Sequence, residues 1–473
     1  MQLPGLPWVL GVALPFVAAC GSGSSSDMDV DVDVDATAID PDGSLDATPA
    51  SGPATITVVR TVRDVNPGAV MPDVPVYFIR PDRTFEMKLT GNDGKATAEV
   101  VPGSTILAAH HRLLLEHDLT AFVGVGPGFD VIAGDHPWPS SAGRVTFTIA
   151  PVANAVGYNL LATCTEFYDA GTLSVTLDVD SACPTATAAT VVATAIGPLG
   201  DVFAHSVDTN VDLIASRGQT RTMPPFVSSS AVLRATYTNF PTDDFYSVDT
   251  RLELQIGGEA VLHADVYGTV SDQTRETGTL QVHRGVAPVG TSTWIRSSFS
   301  QIWGAVSHPD PDQNPPVYHV RRHASRELTH SLDVGANILP RITFPALDLP
   351  SRKLAWTLSG GGPGRQADAV IAKLGWTGAN GAKVHLTLVA PGEGDDLSLP
   401  PLPSALAELT PSVADEGRVD EFWMIDLVGK GYQELATDII PESIELRQRF
   451  QVPFNSAAFA DEQELWYTGS RPM

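Results

Sequence analysis

Short runs in which every second residue is apolar recur along this chain, and they restrict its fold more than any other feature. Clear examples are residues 55–60, 74–79 and 252–256. A period of two places alternate side chains on opposite faces of a β-strand. The chain also contains 41 Gly and 37 Pro, residues that favour turns between strands. The sequence therefore predicts an all-β fold, built as tandem β-sandwich domains on an N-terminal tether.

Turn signals divide the predicted body into three blocks, 54–150, 151–290 and 291–473. In the first block, Asn92-Asp93-Gly94 separates two alternating runs and predicts a hairpin. In the second block, Gly257-Gly258 does the same between residues 251–256 and 259–268. The third block is less regular, and residues 404–409 in it favour a helical turn.

The first block also carries a spaced pattern, Thr90…Asp93-Gly94-Lys95-Ala96…Pro102-Gly103-Ser104…Ala108. This order resembles the carboxypeptidase regulatory-like (prealbumin-like) and bacterial Ig-like modules. The resemblance implies a seven-strand type of sandwich, which usually serves as a spacer or accessory domain. The zinc carboxypeptidase catalytic domain after which the family is named has no counterpart in this sequence.

The N-terminal segment 1–19 is apolar apart from Gly and Pro after residue 2, and it is shorter than a membrane-spanning helix requires. It ends in Val17-Ala18-Ala19-Cys20, which resembles the lipobox of bacterial lipoprotein signal peptides. The resemblance implies cleavage before Cys20, lipidation of its thiol and a partner in the membrane itself. Gly21, in place of Asp, implies the outer membrane in that family, on its periplasmic or surface-exposed face.

One departure from the lipoprotein pattern is the absence of Lys and Arg from residues 1–20, since signal peptides carry a basic start. Either the terminal amine supplies the only positive charge, or the true start lies upstream. The alternative is a secretory peptide cut elsewhere, with Cys20 incidental.

Residues 20–53 form a Ser- and Asp-rich linker. Asp and Val alternate from 29 to 35, and no basic residue balances the charge. Like charges repel along such a tract and keep it solvated, so we expect a disordered spacer. Calcium binding is the alternative, but Ala36 occupies the position where an EF-hand loop needs Gly.

Cys164 and Cys183 remain once Cys20 is assigned to lipid. An even pair in an oxidising compartment predicts a disulfide, here across the alternating run 173–179. Two buried free thiols are the alternative.

The formal net charge of −26 argues against nucleic acid as a partner, because phosphate binding needs Lys and Arg. The strongest candidate for a metal site is His319, His323 and Glu327, which would share one helix face; a polar surface segment is the favoured interpretation. A weaker candidate is His110-His111 together with Glu116-His117. Oxygen ligands for calcium occur at 308–314, where a rigid Pro-rich turn is favoured.

The glycine-rich segment 359–364 lacks a phosphate-binding signature and favours a loop. No Gly-x-Ser-x-Gly elbow occurs, so the sequence assigns no catalytic residue, no metal and no cofactor. Trp356 and Trp376 are the first candidates for a sugar-stacking platform. We therefore expect a cell-envelope lipoprotein with a structural or interaction role and no catalysis, its protein or glycan partner unidentified. The alternative is a carbohydrate-binding or adhesin module at the cell surface.

Overall fold

The computed structural model describes residues 50–60, 69–113, 116–134, 141–162, 168–170, 173–180, 187–228, 231–240, 245–256, 259–269, 278–302, 317–362, 365–411, 415, 417–438 and 464–470. The chain divides into two compact units, 1–48 and 49–473, and all described residues belong to the second. Cys20, Cys164, Cys183, the acidic linker up to residue 49 and the 308–314 segment lie outside the described residues. Within them, no helix is long and apolar enough to cross a membrane.

The described residues form strands almost throughout, which confirms the all-β prediction. In chain order the first fourteen strands are β1 (Gly52–Val58), β2 (Pro75–Ile79), β3 (Phe85–Leu89), β4 (Lys95–Val100), β5 (Ser104–Leu113), β6 (Glu116–Val125), β7 (Asp130–Ala133), β8 (Ser141–Thr148), β9 (Gly157–Ala162), β10 (Tyr168–Ala170), β11 (Ser174–Asp180), β12 (Ala189–Ile196), β13 (Val202–Val211) and β14 (Thr220–Thr222).

The remaining strands are β15 (Ala231–Thr238), β16 (Phe245–Ile256), β17 (Glu259–Thr269), β18 (Leu280–Val286), β19 (Ser292–Ile302), β20 (Val317–His323), β21 (Thr329–Asp333), β22 (Arg341–Asp348), β23 (Lys353–Ser359), β24 (Ala369–Thr377), β25 (Lys383–Pro391), β26 (Asp396–Ser398), β27 (Arg418–Leu427) and β28 (Glu464–Ser470). Two short α-helices, α1 (Val334–Asn337) and α2 (Tyr432–Asp438), and a 3-10 turn at Ser404–Leu409 complete the described elements.

A twelve-stranded sheet, here called the central sheet, runs through the described body. Its strand order is β17-β16-β19-β20-β28-β27-β24-β25-β6-β5-β2-β3. Two joins in it bring distant parts of the chain together. β25 pairs in parallel with β6, and β28 lies between β20 and β27, antiparallel to both. The central sheet thus unites strands from all three predicted blocks, while the block limits at 150 and 290 stay predictions.

Smaller sheets cover the central sheet and enclose three apolar cores. Core A lies against the sheet β4-β1-β7 and includes Phe122 and Ile371. Core B lies against β22-β23-β26 and includes Leu388 and Phe422, and core C lies against β18-β15-β21 and includes Phe299. Strand alternation separates core A from cores B and C, because side chains next to one another on a strand face opposite ways.

A separate sandwich occupies residues 141–226. Its two sheets, β10-β9-β12-β13 and β11-β8-β14, enclose core D, which includes Phe147 and Leu177. β12 pairs on both sides and is buried almost throughout, which accounts for its run of Ala and Val without regular alternation. The described sheets therefore pack face to face as β-sandwiches.

The two hairpin predictions have different outcomes. β16 and β17 pair antiparallel, with Leu254 opposite Leu262, so the second hairpin is confirmed. The first is wrong: the turn at Gly91–Gly94 is present, with Gly94 N–H donating to the carbonyl of Gly91, but β3 pairs with β2 and β4 pairs with β1. The turn therefore crosses between two sheets. Its glycine and Asx chemistry fixes a local reversal and does not fix the partner of each strand.

Candidate functional site

A row of three side chains crosses the middle of the central sheet. His319 on β20 is opposite Trp466 on β28, and Trp466 is opposite Asp426 on β27. Directly opposed residues on paired strands point to the same face. The row lies between core C, which contains Trp466, and core B, which contains Met424 two residues before Asp426. The polar groups therefore fill the gap between two apolar cores on one face of the sheet.

Arg365 supplies the positive charge of this site from the segment that precedes β24. Its Nη1 forms an ion pair with Asp426, and its Nη2 donates a hydrogen bond of 2.9 Å to Oδ1 of Asn337. The same Nη2 lies 3.7 Å from Oε1 of Glu464. The guanidinium carbon lies 5.7 Å from the ring centre of Trp466, within the range of a cation–π contact. Arg365 thus joins β27, β28 and helix α1.

Glu464, the first residue of β28, connects to β20. Its Oε1 accepts a hydrogen bond of 2.8 Å from Nε1 of Trp466 and lies 3.4 Å from Nε2 of His319. Burial opposes ionisation of this carboxyl, but the contacts with His319, Trp466 and Arg365 outweigh it and lower its pKa to about 2. Glu464 is therefore a carboxylate at neutral pH, held by hydrogen bonding and by the nearby guanidinium.

Two buried histidines stack beside Glu464. The rings of His319 and His330 have centroids 5.6 Å apart, and the two residues are 0% and 2% exposed. Burial is the main reason that the pKa of His319 is lowered, and the contact with Glu464 offsets it only in part. Burial, with repulsion from His319, His323 and Arg321, lowers the pKa of His330 to about 3. Both imidazoles are neutral at pH 7, so charge balance in the site depends on Arg365.

A pair of carboxyl groups closes the other side of the site. Oδ2 of Asp368 accepts a hydrogen bond of 2.8 Å from the backbone N–H of Leu427, and the Asp368 side chain is also hydrogen-bonded to Asp426. Burial, followed by repulsion from Asp426, raises the pKa of Asp368 to about 6. Two carboxyl groups in contact favour sharing a proton, so the Asp368–Asp426 pair keeps one proton below about pH 6 and loses it above that pH.

We call the set Arg365, Asp368, Asp426, Glu464, His319 and His330 the ionic cluster. Its members come from five places in the chain, and they bind one another instead of facing open solvent. Such a buried network can hold a proton and fix the pairing of strands. A buried charge whose partner is removed is costly, so the members depend on one another.

The metal prediction for His319, His323 and Glu327 is not supported by this geometry. β20 is a strand, so His319 and His323 share a face but stand about 13 Å apart along it, too far for one ion. The preferred interpretation, a polar surface segment, is also wrong, because both histidines are buried. Among the described residues, no group of three His, Cys, Asp or Glu side chains is placed to hold a metal ion.

The other predicted positions are separate from the ionic cluster. His111 and His117 are opposite each other on β5 and β6, with ring centroids 4.5 Å apart. Gly360 and Gly361 have positive φ in the loop after β23, as expected for a flexible turn. The sugar-platform prediction is wrong for both tryptophans named: each is 5% exposed, and Nε1 of Trp376 donates to the carbonyl of Leu409 at 2.8 Å.

Sequence reasoning did not find Arg365, Asp368, Asp426 or Glu464. The sequence contains one kind of signal, a charged residue within or beside an apolar run. Asp426 interrupts the apolar run 422–428, and Glu464 stands directly before Leu465-Trp466. A charged residue inside an otherwise buried strand indicates a buried partner. The partners themselves lie far away in sequence, so no local pattern identifies them.

Comparison with known proteins adds little. No protein-family profile matches the chain, and no curated protein matches it. Solved structures that resemble it include the Bacillus anthracis TIE protein, with a TM-score of 0.14 and 11% identity over 60% of this chain and 50% of that one. The chain thus spans about half of that protein.

Two further structures are BcpA, the major pilin subunit of Bacillus cereus, and the pilus adhesin SpaC from Lactobacillus rhamnosus GG in its open conformation. The first has a TM-score of 0.14 and 8% identity, over 60% of this chain and 98% of the other. The second has a TM-score of 0.12 and 10% identity, over 75% and 44%. TM-scores this low carry no argument about function.

Proposed function

We propose that this protein is a membrane-anchored component of a bacterial cell envelope with a structural or interaction role and no catalysis. The observation that carries the proposal is the central sheet, in which strands from residue 75 to residue 470 form one hydrogen-bonded layer. Such a layer, with cores packed on both faces, behaves as one body because separating any part breaks backbone hydrogen bonds and exposes a core.

The ionic cluster supports a structural role. Arg365 contacts residues of α1, β27 and β28, and Glu464 contacts β20. These contacts fasten β28 at the point where it completes the sheet. Because Arg365 is paired with Asp426 and lies near Glu464, the cluster uses its charges to specify strand pairing, a role that buried ionic groups serve in other folds.

The anchor rests on the resemblance of Val17-Ala18-Ala19-Cys20 to a lipobox. A thioether-linked diacylglycerol and an N-acyl chain together hold a protein durably on a membrane, whereas a single chain does so only marginally. The acidic linker would then separate the β body from the lipid surface. Placement in the outer membrane belongs to the same proposal.

The experiment is detergent-phase partitioning and membrane fractionation of the full chain in its native cells. We expect the natural chain in the outer-membrane fraction and in the detergent phase. Cys20→Ala should shift the protein to the aqueous phase, whereas Cys164→Ala, which removes a cysteine outside the lipobox, should leave partitioning unchanged. Aqueous partitioning of the natural chain, or equal partitioning of the Cys20→Ala variant, would overturn the anchor.

A further inference from the structure

One end of the central sheet is an open edge. β3 is the terminal strand there and pairs with β2 alone among the described strands. All five of its residues are exposed, and three of them are large and apolar: Phe85, Met87 and Leu89 are 42%, 50% and 54% exposed. An unpaired apolar edge is a template for another strand.

The pairing of β3 with β2 determines which residues of β3 direct their backbone N–H and C=O groups toward β2 and which direct them away. The N–H of Thr90 donates to the carbonyl of Val74, and the N–H of Arg80 donates to the carbonyl of Thr84. Residues bonded to a neighbouring antiparallel strand alternate with residues whose N–H and C=O point away from it. Glu86 and Lys88 therefore bond to β2, and the backbone groups of Phe85, Met87 and Leu89 point outward.

The sequence of β3 is complementary to itself. When Phe-Glu-Met-Lys-Leu is laid antiparallel against a second copy and centred on Met87, Phe85 stands opposite Leu89 of the other copy. In the same register, Glu86 of each copy stands opposite Lys88 of the other copy. Every pair is apolar with apolar or acid with base, and the outward backbone groups meet at the hydrogen-bonded positions.

We propose that β3 is a homodimerisation strand, which pairs antiparallel with β3 of a second copy of this chain about a two-fold axis at Met87. The two central sheets then continue across the interface. The interface is isologous, as in most symmetric dimers, because each copy presents the same surface.

Charge complementarity is what selects a second copy as the occupant. Within one molecule, Nζ of Lys88 lies 2.6 Å from Oε1 of Glu86, and both side chains are nearly half exposed. An exposed ion pair of this kind contributes little to the stability of the single molecule. In the dimer each charge gains a partner across the strand at a non-hydrogen-bonded position, where facing side chains stand closest.

The apolar face of the edge also continues across the interface. Phe85 already packs edge-on against Tyr77, with ring centroids 5.8 Å apart. In the proposed register Leu89 of the second copy lies beside Phe85 and covers its exposed part. Because a five-residue strand buries a small area, we expect a weak dimer with a Kd in the micromolar range or above.

The test uses two preparations of the full chain in detergent, labelled with a donor and an acceptor fluorophore, and measures Kd by energy transfer. We expect saturable transfer for the natural chain. Glu86→Lys alone and Lys88→Glu alone should each weaken self-association about tenfold, because like charges then face each other. Mixing these two variants should restore transfer, since one then supplies Lys and the other Glu at every facing pair.

A second variant tests the backbone pairing. In Met87→Pro the outward N–H is lost while the bonds to β2 at Glu86 and Lys88 stay available, so association should disappear with β2 pairing intact. Circular dichroism and the midpoint of thermal unfolding verify the fold of each variant. Absence of transfer for the natural chain up to millimolar concentration, or failure of the mixed charge variants to exceed each variant alone, would overturn the proposal. Transfer unaffected by any of these changes would place the interface elsewhere and likewise overturn it.

Discussion

Nε2 of His319 lies 3.4 Å from Oε1 of Glu464, across the join between β20 and β28. The two residues are 145 positions apart in the chain, yet they meet where the last described strand enters the central sheet. Because burial keeps the His319 imidazole neutral at pH 7, Arg365 is the charged partner of Glu464 at this join. The ionic cluster therefore marks the place where side chains, as well as backbone pairing, specify the position of β28 between β20 and β27.

Removing the charge of Glu464 tests this role. Glu464→Gln should lower the free energy of unfolding by about 2–4 kcal/mol, because Arg365 loses one of its two carboxylates in a buried setting. Urea unfolding at pH 7.5 measures the change. As a control, Asp396→Asn breaks an exposed ion pair with Lys353 and should cost much less stability than Glu464→Gln. Equal losses for the two variants would contradict a special role for Glu464.

The buried histidines make stability depend on pH. The pKa of His330 is lowered to about 3 in the folded state, against an ordinary value of 6.5, so the unfolded chain takes up the proton first. The contribution of His330 to the free energy of unfolding is fully present above pH 6.5. It is lost as the pH falls toward 3, with a slope of up to about 1.4 kcal/mol per pH unit. The lowered pKa of His319 acts in the same direction.

A comparison of the natural chain with His330→Gln isolates this effect. Urea unfolding of both proteins at intervals from pH 7.5 to pH 4.5 should show the natural chain losing stability more steeply than the variant. Parallel curves would mean that His330 is not held neutral in the folded protein.

Asp368 has the opposite pH dependence. Its pKa is raised from an ordinary value of 3.8 to about 6 in the folded state. Its favourable contribution to the free energy of unfolding is therefore present below pH 3.8 and is lost as the pH rises through 6. Asp368→Asn keeps an acceptor for the Leu427 N–H and gives Asp426 a permanent donor. We expect it to stabilise the protein by about 1 kcal/mol at pH 8, after allowance for solvent screening.

The matched variant Asp426→Asn should have the reverse effect, because it removes the ion pair with Arg365. Thermal unfolding at pH 8 compares the two variants. If both destabilise the protein equally, Asp368 does not carry the shared proton.

Gly469 tests the packing of β28 independently of charge. A Cβ atom at this position would overlap with the indole ring of Trp423, which belongs to core A. Gly469→Ala should therefore lower the free energy of unfolding by about 1–3 kcal/mol, as overpacking does in other cores. Gly157→Ala is the control, since a Cβ atom added there would have no neighbour within 4 Å, and it should change stability by less than about 0.5 kcal/mol. Similar effects for both would mean that β28 does not pack against Trp423.

The sequence predicted the strands well where alternation is clear, as in β16, β17 and β25, because a period of two is a local property. It predicted the pairing of β16 with β17 but not the partners of β3 and β4. The predicted turn before Lys95 is present, yet β3 and β4 join different sheets. The choice of partner depends on the burial of whole strand faces: every residue of β3 is exposed, whereas β4 alternates between exposed and buried residues.

The candidate site was largely hidden from the sequence. His319 and His323 are candidates from the sequence, but the helical spacing expected for them fails because they lie on a strand, and the buried partners of His319 lie in other segments. A carboxylate such as Glu464 shows its importance only when β28 is placed between β20 and β27, which no neighbouring residue dictates.

The intact mass of the mature protein, extracted from its native membrane, decides whether Cys20 is the anchor. We expect a chain that begins at Cys20 and carries the added mass of a diacylglycerol and an acyl chain. A mature chain without lipid, or one that begins at another residue, would contradict membrane anchoring through Cys20.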